Sequence, residues 1–317
     1  MASLLLNERA LHVAERMIED AAALRIAVQH TSAGGRILDC GIKAEGGLRA
    51  GLAMARVCLS DLGEVALVPG EISGVPCPHV QVATDHPVLA CMASQYAGWQ
   101  IKAGKFFAMG SGPMRAAYGK EELFANIPGK EQAAVAVGVL ETRKLPDDAA
   151  IDYVRERVGV PAAQITLLAA ATGSQAGTLQ VVARSVEMAM HKLHELKFDL
   201  TKVVSGYGVA PLPPVVSDDL KAMGRVNDAI IYGGRVVLWV RAADEELAAI
   251  GPKVPSILSP DHGALFRELF ERSGGDFYKM DGGLFSPAQV ALVSLQSGRT
   301  HTFGRPEPDI VRRSFYE

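Results

Sequence analysis

The chain has 317 residues, of which 49% are hydrophobic, 21% charged and 6% aromatic, and it carries 32 glycines. That length holds one large or two ordinary domains, and the composition excludes a disordered or fibrous chain. A formal net charge of −3 gives no electrostatic footing on nucleic acid or an anionic membrane, so neither is expected as a partner.

Residues 5–24 are expected to form an amphipathic helix, with Leu11, Val13, Ala14, Met17 and Ile18 set against Glu8, Arg9, Glu15, Arg16 and Glu19. The apolar start meets charge at once and has no basic leader, so no signal peptide is expected. Arg36–Ile42 reads as a strand that Gly46-Gly47 breaks, and 48–59 returns to a helical pattern. Short strands follow at 64–68 and 80–83. Residues 87–97 read as a helix with Pro87 in its first turn and Gly98 past its end.

The near-continuous apolar run 133–140 predicts a strand buried on both faces, and 165–171 another. Between them a helix starts at Leu145-Pro146-Asp147-Asp148, an Asp serving as N-cap. Residues 175–196 read as the longest helix. Residues 229–232, Gly233-Gly234 and 235–240 read as a hairpin, and 262–272 as a helix entered from a Ser259-Pro260-Asp261 turn. Alternation in the middle with paired strands at the flanks gives an α+β fold of two α/β-type domains with mixed sheets. The expected division joins residues 1–87 with 201–317 as one discontinuous domain and makes 88–200 the second, with APLPPVV at 210–216 as linker.

Arg184 and Glu187 lie three apart in a helical segment among Val181, Val182, Ala183, Val186 and Met188. Both therefore project from one face into an apolar setting. A Glu held there can act as a general base toward water. The bland alternative is an i,i+3 ion pair of about 0.3 kcal/mol. Asp85-His86-Pro87 caps a helix or presents polar groups to a ligand. Gly110-Ser111-Gly112-Pro113 lacks the Gly-Lys-Ser/Thr ending of a nucleotide-binding loop and reads as a tight turn allowing close approach. Arg115 and Lys105 nearby could meet the acidic tail group of a ligand, but a solvated surface role is the commoner one. Cys77-Pro78-His79 invites a thiol-nucleophile reading, but no paired base stands at a recognisable spacing. The four cysteines form no Cys-x-x-Cys pair and read as reduced thiols of a cytosolic protein. His191 and His194 share a helix face and read as a solvated pair. No metal-ligand spacing is present, so no metal site is expected.

The blocks TDHPVLACMASQYAGWQIKAGKFFAMGSGPMRA at 84–116, DCGIKAEGGLRAGL at 39–52, VVARSVE at 181–187, AMGRVNDAIIYGG at 222–234 and DFYKMDGGLFSPA at 276–288 resemble, in the same order, the methenyltetrahydromethanopterin cyclohydrolases. The resemblance covers nearly the whole chain. It implies a cytoplasmic, metal-free and cofactor-free hydrolase of one-carbon metabolism, a homotrimer with a substrate cleft between two domains. It implies Glu187 and Arg184 as the catalytic pair. It further implies Asp85, His86, Gly110, Ser111, Gly112, Asn227, Asp228 and Tyr278 as substrate-binding residues. A dehydrogenase using the same pterin would need a Gly-x-Gly-x-x-Gly after a strand, which is absent. A pterin-dependent transferase and a non-catalytic pterin-binding protein are the alternatives.

Overall fold

The computed structural model describes residues 4–317. In chain order it runs α1 (Leu6–Glu19), α2 (Ala21–Leu24), β1 (Ala27–His30), β2 (Arg36–Gly41), α3 (Leu48–Cys58), β3 (Gly63–Val68), β4 (Glu71–Ile72), β5 (Val75–Pro76) and β6 (His79–Thr84). A π-helix, Val88–Gln95, leads to β7 (Trp99–Ala103), β8 (Phe106–Ser111), α4 (Met114–Tyr118), β9 (Ala136–Glu141), α5 (Asp148–Val158), β10 (Ile165–Ala170), α6 (Gln175–Val182) and α7 (Ser185–Glu195). The rest is β11 (Val203–Pro211), α8 (Asp219–Gly233), β12 (Arg235–Val240), α9 (Asp244–Ile250), α10 (Phe266–Arg272), β13 (Gln289–Ser294), β14 (Thr300–Gly304) and α11 (Pro308–Tyr316).

The chain divides into two compact units. The first joins the segment ending at Gly63 to Leu89–Gln180. Its six-stranded sheet has the order β1-β2-β10-β9-β8-β7. The centre is parallel, with Leu38 opposite Leu168 and Leu168 opposite Val139. Successive residues of an apolar strand face opposite sides. Leu38, Cys40, Val137, Val139 and Leu168 accordingly pack with α1 and α3, while Ile37, Ala136, Leu140, Ile165 and Leu167 pack with α5. Two covered faces explain why these strands read as continuous apolar runs. Asp147 caps α5 as expected, accepting from Ala150 N.

The second unit holds Glu64–Val88 and Val181–Glu317. Its sheet has the order β14-β13-β12-β11-β6-β3, with β12 and β13 parallel.

Three expectations are corrected. Residues 1–63 go with 89–180, not with 201–317, because β2 is held between β1 and β10 by strand pairing. Residues 229–232 end the helix α8 instead of making a hairpin, because an apolar AIIY run fits a buried helix as well as a strand. The stretch 203–211 is a strand, so the expected linker begins inside the sheet.

Candidate active site

The segment expected as one long helix is two. Arg184 N donates to Val181 O at 3.1 Å, a tightened final turn, and Met188 N donates to Arg184 O at 2.9 Å, opening the next helix. Arg184 is thus the N-cap residue of α7, with φ −99° and ψ 13°, and Glu187 stands in its first turn. A carboxylate is favoured beside the unpaired N–H groups of a helix start. Both side chains are buried, Arg184 at 7% exposure and Glu187 at 5%. The pair arises from a break between two helices and a cap, not from two positions inside one regular helix.

Two glycines set the seat of α7. A Cβ on Gly206 of β11 would come within 2.7 Å of Val186 Cγ1. One on Gly208 would overlap Ser185 Oγ and approach Val186 Cγ2 to 2.9 Å. The first turn of α7 therefore lies directly on bare β11 backbone. Gly206 pairs with Thr84 at the end of β6, after which come Asp85 and His86. Asp85 accepts from Ser205 Oγ at 2.7 Å, and His86 N donates to Thr84 Oγ1 at 3.0 Å. Both residues are exposed. Through β11, the second unit brings the α7 start and the Asp85-His86 turn to neighbouring strands.

Asn227 and Asp228 lie on α8. Asn227 Nδ2 donates to Met223 O at 2.8 Å, one turn back. Asp228 is 1% exposed and accepts from Phe266 N at 2.9 Å and Ser314 Oγ at 2.6 Å, tying α8 to α10 and α11. Burial pushes its carboxyl up to about 7, against the pull of those two donors. Tyr278 lies in a short 3₁₀ turn, and its side chain is outside what the structure describes.

Gly110, Ser111 and Gly112 belong to the first unit. Ser111 is 2% exposed, and its Oγ donates to Val139 O at 3.2 Å. Gly112 has φ +89°, which only glycine adopts freely, and its N–H donates to Ser94 O at 2.9 Å. The segment 88–95 is a π-helix, not the α-helix expected, with Tyr96 N donating to Cys91 O at 2.8 Å. Arg115 is fully buried, which corrects its reading as a solvated cation. It donates to both Glu121 oxygens at 2.9 and 2.6 Å and to the π-helix carbonyls of Met92 and Ser94. A forked guanidinium meets four acceptors where a lysine could not.

Two further features escaped the sequence. Asp39, fully buried, accepts from the backbone N–H groups of Gly41, Ile42, Lys43 and Ala44 at 2.7–3.1 Å, and so folds the loop after β2. The regular spacing of those four amides is invisible in residue types. His191 is half-buried, not solvated, its side chain 24% exposed, and burial with His194 and Lys192 beside it pushes it down to about 4. Cys77 is buried and its thiol pushed up, the reverse of an activated nucleophile. Among the described residues, no three His, Cys, Asp or Glu side chains converge on a possible metal position, and no helix is long and apolar enough to cross a membrane.

The described residues thus form two mixed-sheet α/β units, the second with a buried arginine and a buried carboxylate at one helix start. Residues 5–315 match the family described as Cyclohydrolase (MCH), and the chain belongs to that family. Similar proteins include the methenyltetrahydromethanopterin cyclohydrolases of Rhodopirellula baltica, 47% identical over 90% of this chain and 87% of that protein, and of a Methylobacterium species, 46% over 98% and 97%. That of Methanosarcina barkeri is 41% identical over 98% and 97%.

Proposed function

We propose that this chain hydrolyses the methenyl bridge of 5,10-methenyltetrahydromethanopterin, or a dephospho form of it, to the N5-formyl pterin. The observation that carries the reading is the match of residues 5–315 to the cyclohydrolase family, with relatives of that name spanning almost the whole chain.

The bridging carbon sits between two nitrogens and carries a positive charge, so it is already an electrophile. Glu187 takes a proton from the attacking water and gives it to the departing N10 nitrogen as the C–N10 bond breaks. It then takes the second water proton as the formyl carbonyl forms. Arg184, at the start of the same helix, orients Glu187 and the water. A carboxylate facing a cationic substrate also stabilises charge in the transition state. Asp85, His86, Gly110, Ser111, Gly112, Asn227, Asp228 and Tyr278 are assigned to the pterin. Asp228 and Ser111 are buried and hydrogen-bonded inside their own units. The family resemblance supports a cytoplasmic homotrimer.

Turnover in oxygen-18 water tests the reading. The enzyme-dependent product should be the N5-formyl pterin with its formyl oxygen drawn from solvent. Passage of the one-carbon unit to an added acceptor, or binding of the pterin with no rate above the spontaneous one, would replace hydrolysis with the transferase or binding reading.

A further inference from the structure

Hydrolysis of a methenyl cation leaves a proton behind. The substrate enters with one positive charge, water adds two hydrogens, one stays on N10, and the formyl product is neutral. Each cycle therefore ends with a proton on Glu187, a group only 5% exposed. That proton has to reach solvent before the next water can be activated.

Helix α7 carries a polar stripe that runs outward from this point. Arg184, Glu187, His191 and Glu195 stand at spacings of three and four, on one face. The face turned to the sheet holds Val186, Ala189, Met190 and Leu193, all buried. Along the stripe the side chains open progressively: Glu187 is buried, His191 is 24% exposed and Glu195 38%. His191 Nδ1 lies 3.9 Å from Glu195 Oε1. That gap exceeds a hydrogen bond and suits one bridging water or a small rotamer change. His191 falls one turn beyond Glu187, where helical geometry puts Cβ atoms about 5–6 Å apart.

We propose that Glu187, His191 and Glu195 form the proton exit of this site, with His191 the positioning residue that carries the proton from Glu187 to the open end of α7. The proposal rests on the hydrolytic reading above. One imidazole nitrogen accepts the proton as the other releases one toward Glu195, so the ring ends neutral and the carboxylates exchange a single proton. His191 is kept neutral between cycles by its burial and by Lys192 and His194. Glu195 is tuned to accept: burial and Asp281 push its carboxyl up, while Lys192 and Lys197 pull it down.

The test compares wild type with His191→Gln and Glu195→Gln in dilute buffer and with added imidazole, following chromophore loss. Wild type should be indifferent to imidazole. His191→Gln should turn over slower by a factor on the order of 10–100 in dilute buffer and recover several-fold with imidazole, its melting temperature unchanged. Glu195→Gln should show a smaller loss with the same recovery. A His191→Gln chain as fast as wild type in dilute buffer overturns the proposal, and so does a slow one that imidazole does not rescue. A wild-type chain that turns over nothing overturns the hydrolytic reading itself.

Discussion

A carboxylate sealed inside a protein must be surrounded by donors or carry its proton. Asp39 follows the first course with four backbone amides. Asp228 has two donors and a carboxyl pushed up to about 7 from 3.8. A raised folded-state pKa contributes stability that is fully present below the unfolded value and is lost as pH rises through the folded one. Between about pH 4 and 7 the wild-type chain should therefore lose stability at this site, and Asp228→Asn should not. The melting temperature of Asp228→Asn relative to wild type should rise from pH 5 to pH 8. A difference that is the same at both pH values would show that Asp228 does not titrate in this range. Arg115 shows why such residues misread in sequence: charge predicts exposure, and only the fold supplies Glu121, Met92 and Ser94 to satisfy it.

At the scale of elements, the bare surface of β11 fixes the seat of α7, the helix that bears Glu187. Gly208→Ala would drive a methyl into Ser185 and Val186, both fully buried, so α7 would have to lift from the sheet. Overpacking of this kind costs about 1–3 kcal/mol. A displacement on the order of 1 Å at Glu187 costs turnover on the order of 10²-fold. Chemical denaturation and turnover measured together should show both losses; a variant with wild-type turnover would mean the seat of α7 does not set the site. The strands β9 and β10 and the capped start of α5 were legible in the sequence because burial on two faces and an N-cap leave local signatures. The break between α6 and α7 was not, since no Gly or Pro marks it and Arg184 is an ordinary helix residue. Helix 219–233 was misread for the same reason in reverse: a short apolar run ending in Gly-Gly has no period of its own.

At the scale of the molecule, which segment belongs to which unit depends on strand pairing across more than a hundred residues, such as Leu38 with Leu168. No local pattern encodes that. Arg184 and Glu187 stood out as a charged pair among apolar neighbours, but the residues alone favoured an ordinary ion pair over a catalytic one. The match over residues 5–315 shows the family, and the catalytic role of the pair is our proposal. The central claim is hydrolysis by Glu187, and its most direct test is ultraviolet loss of the methenyl chromophore by wild type and Glu187→Gln, side by side, with substrate binding measured for both. Rapid loss is expected for wild type, and a rate lower by a factor on the order of 10²–10⁴ for Glu187→Gln with binding kept. A fully active Glu187→Gln chain, or a folded wild type no faster than the spontaneous reaction, would contradict it.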